Sequence, residues 1–292
     1  MGQCWSLKRA RIFAIALLLA IGFVRMSRAA ELKPATIDAF ERYRRIAEAT
    51  IEQDASSPDR FLHVFHGDAA ARAKADGLLR RGEVVVDRLR ATDNGRRIEV
   101  PDGLIHHWIG SIFVPDVPLR TAVAVLQDFD QHADLFRPNI QRSKILEHDS
   151  DRFRITLRFY MKKIVAVTVD TESLVEFTPR GPDRETSAIR SVRVNEIEAA
   201  GTPEERQKPD GHGGGYMWRM NTYWRFLERD GGTYIECEAL TLSRSIPTGL
   251  GWLIGPVVAS IPRDMLTSAL QATRRSLVAR STADRVPPHA SN

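Results

Sequence analysis

The fold is decided by residues 216–280, which open with Tyr216-Met-Trp-Arg-Met-Asn-Thr-Tyr-Trp-Arg-Phe226. Large apolar residues alternate here with polar ones, which is the pattern of a β-strand that buries one face. Asp230-Gly-Gly232 predicts a hairpin turn, and a return strand is expected from Tyr234 to Arg244. The buried face of the first strand is predicted to carry Tyr216, Trp218, Met220, Thr222, Trp224 and Phe226.

An amphipathic helix is predicted after this hairpin, starting near Ser260. Its apolar stripe recurs at helical spacing and consists of Leu266, Leu270, Thr273 and Leu277. A loop rich in glycine, proline and apolar residues, Ile246 to Pro256, joins the hairpin to the helix. A long antiparallel hairpin followed by one amphipathic helix predicts a sheet wrapped around a helix, with the functional space between them.

The residues before the hairpin supply the rest of an α+β domain, which we place at 101–281. Strands are predicted at 104–114, 140–148, 152–161, 164–177 and 186–199, and helices at 119–127 and 128–136. With the hairpin, this gives a curved antiparallel sheet of about seven strands. Residues 30–100, with helical patterns over 34–54 and 61–81, are predicted to form a mostly helical N-terminal extension. The Pro-containing segment 282–292 predicts a disordered tail.

The first 29 residues have the layout of a secretory signal peptide. Lys8, Arg9 and Arg11 precede an apolar run from Ile12 to Val24, and Ser27-Arg-Ala29 offers small residues around a cleavage site. The run is shorter than the roughly 20 residues of a membrane-spanning helix. We therefore predict a secreted or periplasmic protein, with an uncleaved N-terminal membrane anchor as the alternative.

The charge of the mature chain argues against nucleic-acid binding. Residues 1–29 hold five of the 42 Lys and Arg residues and no acid, so 37 basic residues remain against 37 acidic ones. A nucleic-acid-binding protein needs net basic character to neutralise phosphates. Cleavage also removes Cys4, which leaves Cys237 without a partner for an intrachain disulfide. Cys237 alternates with Ile235 and Ala239, which indicates a buried strand position rather than a nucleophile.

The order of predicted elements resembles the START-like helix-grip fold of the SRPBCC superfamily, which includes polyketide cyclase/dehydratase and coenzyme Q-binding branches. The resemblance covers Ile105 to Leu277 and rests on two segments. Residues 123–140, VAVLQDFDQHADLFRPNI, are similar to the stretch in which the first helices end in an Asp/aromatic turn. Ser245-Ile-Pro-Thr-Gly-Leu-Gly-Trp252 and the helix after it resemble the closure of that fold by a proline and a long helix.

The resemblance implies a cavity between the curved sheet and the C-terminal helix that holds a lipid or another hydrophobic small molecule. No cofactor is predicted. An inward apolar face can bind such a ligand by area burial, at about 25 cal/mol per Å². For each candidate, the alternative is a side chain that merely fills the core. The candidate ligand-binding residues are Phe153, Leu157, Val167, Trp218, Met220, Trp224, Ile235, Trp252, Leu266 and Leu270.

The sequence nominates no catalytic residue and no metal site. His63 and His66 share a helix face without a convincing third ligand, and His106 and His107 point to opposite faces of a strand. The alternative function is a cyclase/aromatase-type enzyme acting on a polyketide-like substrate, which requires a cavity-facing acid, histidine or tyrosine with a perturbed pKa. A third alternative is an interaction module with a filled core, which the volume of the cavity would distinguish.

Two local hypotheses concern the lining of the cavity and its mouth. An inward-pointing arginine among Arg190, Arg193, Arg219 and Arg225 could bind a ligand carboxylate or phosphate, although solvated strand faces explain most of these residues. Leu250 to Ile254 form an apolar loop between glycines, which would gate the cavity and make transient membrane contact. The alternative is a loop packed on the N-terminal extension.

Overall fold

The computed structural model describes residues 30–163, 166–246 and 251–285. The segment predicted to be a signal peptide lies outside these ranges, as does the end of the predicted tail from residue 286. Within the described ranges, no helix is long and apolar enough to cross a membrane.

A nine-stranded antiparallel sheet forms the centre of the fold. Its seven long strands match those predicted and are β5 (Gly103–Pro115), β6 (Ile140–Asp149), β7 (Arg152–Lys162), β8 (Ala166–Pro179), β9 (Arg184–Glu198), β12 (Arg219–Arg229) and β13 (Gly232–Arg244). Two short strands, β2 (Val85–Arg88) and β10 (Arg206–Gln207), complete it. The strand order is β2-β5-β13-β12-β9-β8-β7-β6, with β10 paired to β9.

Two further pairs of short strands lie outside this sheet. The pair β1 (Ala30–Glu31) and β11 (His212–Gly213) joins the start of the described chain to the segment before β12. The pair β3 (Thr92–Asp93) and β4 (Arg96–Arg97) forms a short hairpin with its turn at Asn94-Gly95.

The alternation of residues decides which face of each long strand is buried. On β7, the side chains of Ile155 and Leu157 lie in the main core, whereas Arg154 on the other face pairs with Glu172 of β8 at 2.6 Å. Period-2 alternation places successive side chains on opposite faces of a sheet. The sheet therefore has an inner apolar face and, along β6 to β9, an outer face of charged pairs.

The inner face wraps around the C-terminal helix α5 (Gly251–Arg285). Leu266, Leu270 and Leu277 of the predicted stripe are buried in the main core. A Cβ atom at Gly110 of β5 would lie 2.6 Å from Cδ1 of Leu270, so this close approach of strand and helix requires glycine. The predicted stripe thus faces the sheet as expected.

Both predicted ends of this helix are wrong. It begins at Gly251 rather than near Ser260, and it continues to Arg285, past the predicted start of the tail at 282. The apolar stripe extends toward the N-terminus through Val258 and Ile261, which line the space under the sheet. Burial of such a face contributes more to a helix than propensity does, and here it outweighs the glycines and prolines that suggested a loop.

The N-terminal extension packs on the outer face of β5, β12 and β13. Its long helix α1 (Pro34–Ala55) buries Phe40, Tyr43 and Ala47 in a cluster with Leu240 and Leu242 of β13. Helical spacing of these apolar residues produces the buried side. The extension therefore forms a second layer over one half of the sheet.

The second helix of the extension is shorter than the predicted span 61–81. A 3₁₀ turn covers His63–Phe65, and helix α2 covers Ala69–Arg80. Gly67 adopts a φ of +109°, which ends the turn, and the Asp68 carboxylate accepts a 2.8 Å hydrogen bond from Ala71 N to cap the new helix. The continuous helix expected from the sequence is therefore wrong.

Two short helices complete the inner layer, α3 (Leu119–Gln127) and α4 (His132–Leu135). They lie where the sequence predicted helices at 119–127 and 128–136. A 3₁₀ turn, Phe129–Gln131, joins them.

Candidate ligand cavity

A cavity of about 450 Å³ lies between the inner face of the sheet and α5. Residues from the seven long strands of the sheet, from α5 and from the α3–α4 segment form its walls, and most of their side chains are apolar. Among the wall residues are Leu126, Phe129, Phe136, Ile140, Phe159, Met161, Ile189, Met217, Ala239, Val258, Ile261 and Met265. Apolar side chains in this arrangement bind ligands mainly by removing apolar surface from water.

Half of the ten predicted ligand-binding residues line this cavity. They come from four different elements and are Leu157, Val167, Met220, Trp224 and Leu266. Strand alternation was sufficient to find those on the sheet, and the helical stripe was sufficient for Leu266. Their role in binding a ligand stays a prediction.

Three other predicted residues have inward side chains but pack in the core beyond the cavity. The Phe153 ring contacts Phe129 at 5.3 Å between centroids, and Ile235 is fully buried. Leu270 lies over Gly110, where the sheet and α5 meet directly. The cavity does not extend along the whole inner face, because the helix closes on the sheet at this level.

The inward position predicted for Trp218 is wrong. Its side chain lies on the outer side of the sheet, in the cluster with α1. β12 begins only at Arg219, so strict alternation does not hold before it, and Tyr216 and Met217 both line the cavity instead. Because the extension covers the outer face of the sheet there, a tryptophan at position 218 would be buried on either face.

The segment Leu250 to Ile254, predicted to be a loop at the cavity mouth, lies only partly within the described residues. Leu250 and the side chains of Trp252, Leu253 and Ile254 lie outside the described residues. The backbone from Gly251 belongs to α5, so this part of the segment is helical rather than a loop.

The arginines considered as inward ligands all lie elsewhere. Arg190 pairs with Glu48 of α1 at 2.7 Å, Arg193 with Glu172, and Arg219 with Asp210 at 3.0 Å. Arg225 is buried on the outer face, where it pairs with Glu236 and Glu238. None of the four lines the cavity as the structure describes it.

His106 is a polar residue of the cavity wall to which the sequence alone assigned no role. It lines the cavity with its ring buried, and its Nε2 lies 3.2 Å from Oγ of Ser243, which also lines the cavity. His107, on the opposite face as predicted, contacts α1 through Tyr43. Alternation separates the two histidines but does not indicate which of them faces the cavity.

A second buried histidine, His132 of α4, also borders the cavity. Its Nε2 lies 3.1 Å from the carbonyl oxygen of Leu126, and its ring contacts Phe136 edge-on. Burial lowers the pKa of His132 to about 4, against a small opposing effect of the bond to Leu126. Its ring is therefore neutral at pH 7 and fixes α4 against α3.

Cys237 is buried, as predicted, and it lines the cavity. It forms no disulfide within the described part of the chain. Burial raises the pKa of its thiol, and the charges of its neighbours on β13, Glu238 and Glu236, raise it further. A thiol of raised pKa carries little thiolate and is a poor nucleophile.

The rim of the cavity carries charged residues. Lys163, after β7, forms an ion pair with Asp264 of α5, and both side chains are partly exposed. Lys162 and Arg244 also border the opening. This pair connects the strand ends to the helix across the rim.

The described residues contain no cluster of three or more His, Cys, Asp or Glu side chains arranged to hold a metal ion. His63 and His66 are close, with ring centroids 5.0 Å apart, but they lie on the 3₁₀ turn of the extension and immediately after it.

The lowered pKa of His106 predicts how the folding stability of the protein depends on pH. Burial, with a smaller effect of Arg88, lowers its pKa from 6.5 to about 4. Between pH 6.5 and pH 4 the unfolded chain binds a proton at this residue and the folded chain does not, so protonation favours unfolding. The resulting loss of folding stability is absent above pH 6.5 and grows as the pH falls toward 4. The shift corresponds to about 3 kcal/mol at most.

The free energy of unfolding should fall when the pH is lowered from 7 to 4.5. We expect this fall to be about 2 to 3 kcal/mol smaller for His106→Phe than for the wild type. Urea unfolding at the two pH values measures this difference. His212→Phe, which removes an exposed histidine, is the matched control and should follow the wild type. Equal losses for His106→Phe and the wild type would contradict the assignment.

Comparison with known proteins finds similarity at the level of structure. No protein-family model and no curated protein sequence matches the chain. Among solved structures, the Zhui aromatase/cyclase from Streptomyces sp. R1128 is similar at 15% identity and a TM-score of 0.43, over 64% of this chain and 100% of that one.

Two further solved structures show a comparable degree of similarity. A STAR-related lipid transfer protein fragment from Xanthomonas axonopodis matches at 16% identity and a TM-score of 0.40, over 65% of this chain and 98% of the fragment. Human STARD10 matches at 12% identity and a TM-score of 0.41, over 76% of this chain and 86% of that one. By its own strand order and closing helix, the chain has the START-like helix-grip fold predicted from the sequence.

Proposed function

We propose that the protein binds or carries a lipid or another hydrophobic small molecule between the sheet and α5, without catalysis. The observation that supports this most directly is the cavity of about 450 Å³, lined mainly by apolar side chains. Small-molecule sites typically measure about 300–1,000 Å³. Protein interiors otherwise leave few voids larger than a water molecule.

The size of the cavity favours this function over an interaction module with a filled core. A filled core would place Trp224, Met220 and Leu266 in contact across the space that they line. The three side chains come from the sheet and the helix, and the cavity lies between them.

The chemistry of the wall favours binding over catalysis. A general base works best when its pKa lies near the working pH. His106 and His132 both have a pKa lowered to about 4, and burial raises the pKa of Tyr216. These groups are weak bases or weak acids at pH 7, although they can form hydrogen bonds.

Titration with a neutral solvatochromic dye, Nile red, tests the proposed binding. The purified chain without residues 1–29 is expected to bind the dye saturably at one site, with the blue shift of an apolar environment. Competition by an added apolar molecule should reverse the signal. Absence of saturable binding would contradict the proposal.

We also propose that the chain is exported and cleaved after Ala29, on the strength of the basic start, the apolar run and the small residues at 27 and 29. Cleavage there would leave Ala30, the first residue of β1, as the N-terminus. N-terminal sequencing of the protein from the periplasmic fraction is expected to start at Ala30. A full-length chain in the membrane fraction would instead support the anchor.

Transient membrane contact through Leu250 to Ile254 is the remaining part of the proposal. Its support is the location of Val258 and Ile261, the next apolar positions of α5, at the cavity wall. A Trp252→Ser variant is expected to bind phosphatidylcholine vesicles more weakly in a sedimentation assay while keeping its affinity for Nile red. Unchanged vesicle binding would argue against this contact.

A further inference from the structure

The sheet wall of the cavity carries polar groups that the protein itself does not satisfy. Within the described residues, the hydroxyl groups of Thr222 and Thr241 have no hydrogen-bond partner, nor does Nδ1 of His106. The ring of Trp224, also on this wall, has a buried indole N–H without a partner. These are donors and acceptors at the surface of an otherwise apolar space.

Sheet register brings these groups together. His106 of β5 lies directly opposite Thr241 of β13. On the next strand, Thr222 lies opposite Ala239, two residues from Thr241 and on the same face. Diagonal neighbours in a sheet are about 7–8 Å apart, so one small ligand group can reach more than one of them. We call His106, Thr222, Thr241 and Ser243 the polar patch.

The four members of the polar patch are uncharged at neutral pH. Burial keeps the imidazole of His106 neutral, since its pKa is lowered to about 4, and the other three side chains are hydroxyls. Arg244, the nearest cation along β13, donates a hydrogen bond to the Gly214 carbonyl at 3.2 Å. The cations that line the cavity, Lys162, Lys163 and Arg244, do not belong to the patch. A ligand anion held by the patch would therefore lose its hydration without gaining a counter-charge from these four groups.

An uncharged polar group on the ligand would bind favourably at the patch. A bound ligand buries the partly exposed hydroxyls of Thr222 and Thr241, and buried donors and acceptors are expensive to leave unpaired. A hydroxyl or carbonyl oxygen on the ligand would pair with them, whereas a purely apolar ligand would not. The helix wall, with Met265, Leu266 and Ala269, offers mostly apolar surface to the other side of the same ligand. Its polar side chains are already paired, Asp264 with Lys163 and Ser268 with Asn139. The two walls thus differ in what they can recognise.

We infer that the ligand of this cavity is an uncharged apolar molecule carrying a hydroxyl or carbonyl group, and that the polar patch holds that group against the sheet. His106 and Thr241 are then the residues that determine specificity. This inference rests on the proposed binding function, because it names the chemical class of molecule that the same cavity takes.

The test uses three ligands of one shape, naphthalene, 2-naphthol and 2-naphthoate, each measured at pH 7 by displacement of Nile red. The wild type is expected to bind 2-naphthol more tightly than either of the others. Thr241→Val keeps the shape of the side chain and removes its hydroxyl, and His106→Phe removes the imidazole. Each variant is expected to bind 2-naphthol roughly threefold to tenfold more weakly and naphthalene as well as the wild type does.

Thr156→Val is the matched control, since Thr156 lies on β7 and is not among the residues that line the cavity. It should leave all three affinities unchanged. Equal weakening of naphthalene and 2-naphthol in Thr241→Val would show that the threonine only shapes the cavity, and would overturn the inference. Tightest binding of 2-naphthoate would overturn it as well, in favour of an anionic ligand.

The outcome separates this inference from the proposed function. If Nile red itself does not bind to the wild type, the proposed function fails and the inference with it. If Nile red and naphthalene bind but neither variant changes the preference for 2-naphthol, the cavity binds apolar molecules and only the inference fails.

Discussion

Replacement of Arg225 by methionine is expected to lower the free energy of unfolding by about 3–5 kcal/mol. The guanidinium lies under the N-terminal extension, with Nη1 2.6 Å from Glu236 and Nη2 3.1 Å from Glu238. All three side chains are at most 5% exposed. Without the arginine, two carboxylates stay buried with no cation between them, which costs far more than the loss of an exposed ion pair.

The same carboxylates attach the extension to the sheet. Glu236 accepts hydrogen bonds from His63 N at 3.0 Å, from Val64 N at 3.1 Å and from the Ser111 hydroxyl at 2.9 Å. Loss of Arg225 should therefore loosen the extension as well as the sheet, and hydrogen exchange should increase across residues 60–66.

A parallel network holds α1. The Tyr43 hydroxyl accepts a 2.8 Å bond from Ala91 N and donates to His107 Nδ1 at 3.0 Å. His107 Nε2–H then donates to Glu238 at 2.7 Å. Burial alone would raise the pKa of Glu238, but the bonds from His107 and the charge of Arg225 lower it below its ordinary value. The carboxylate is thus kept ionised where it binds both partners.

Urea unfolding of Arg225→Met measures the predicted loss. Arg152→Met is the matched control, because the Arg152 side chain is 75% exposed in its pair with Glu176, and its replacement should cost less than about 1 kcal/mol. Adding Glu236→Gln to Arg225→Met should recover part of the stability by removing one unpaired charge. A loss below about 1 kcal/mol for Arg225→Met would contradict the role given to this network.

Filling the cavity is expected to abolish most ligand binding without unfolding the protein. Ala239 of β13 borders the cavity between Trp108 and Thr222 on the neighbouring strands. Ala239→Phe would place a benzyl group in the space of about 450 Å³. A bound ligand would then be overpacked by about 1–3 kcal/mol, which corresponds to a loss of affinity for Nile red of roughly fivefold to 150-fold.

The melting temperature of Ala239→Phe should equal that of the wild type or exceed it, since cavity-filling substitutions commonly stabilise a protein. Ala73→Phe, at an exposed position of α2, is the control for the added ring and should bind the dye normally. Normal binding by Ala239→Phe would place the dye elsewhere on the protein.

Residue patterns predicted the sheet and its inner face well where alternation was unbroken. On β7, four alternating apolar residues predicted the inner face, and Leu157 lines the cavity as expected. The apolar stripe on α5 was equally informative for Leu266. These successes have a common cause, because period-2 and period-3.6 patterns record directly which side of an element is buried.

The pattern failed where both sides of the sheet are buried. Trp218 lies just before β12, where the extension covers the outer face, so its hydrophobicity carries no information about direction. The polar patch was missed for a different reason. His106 and Thr241 are neighbours only through the pairing of β5 with β13, and residues 135 positions apart in the chain give no local signal.

The claim that the cavity is a ligand site is best tested by native mass spectrometry of residues 30–292, purified from the cells that produce them. We expect a stoichiometric mass addition that solvent extraction removes and identifies as an uncharged apolar molecule. The same addition should be missing from Ala239→Phe and present in Ala73→Phe. A wild-type protein that carries no added mass and binds no apolar dye after delipidation would contradict the claim that the cavity is a ligand site.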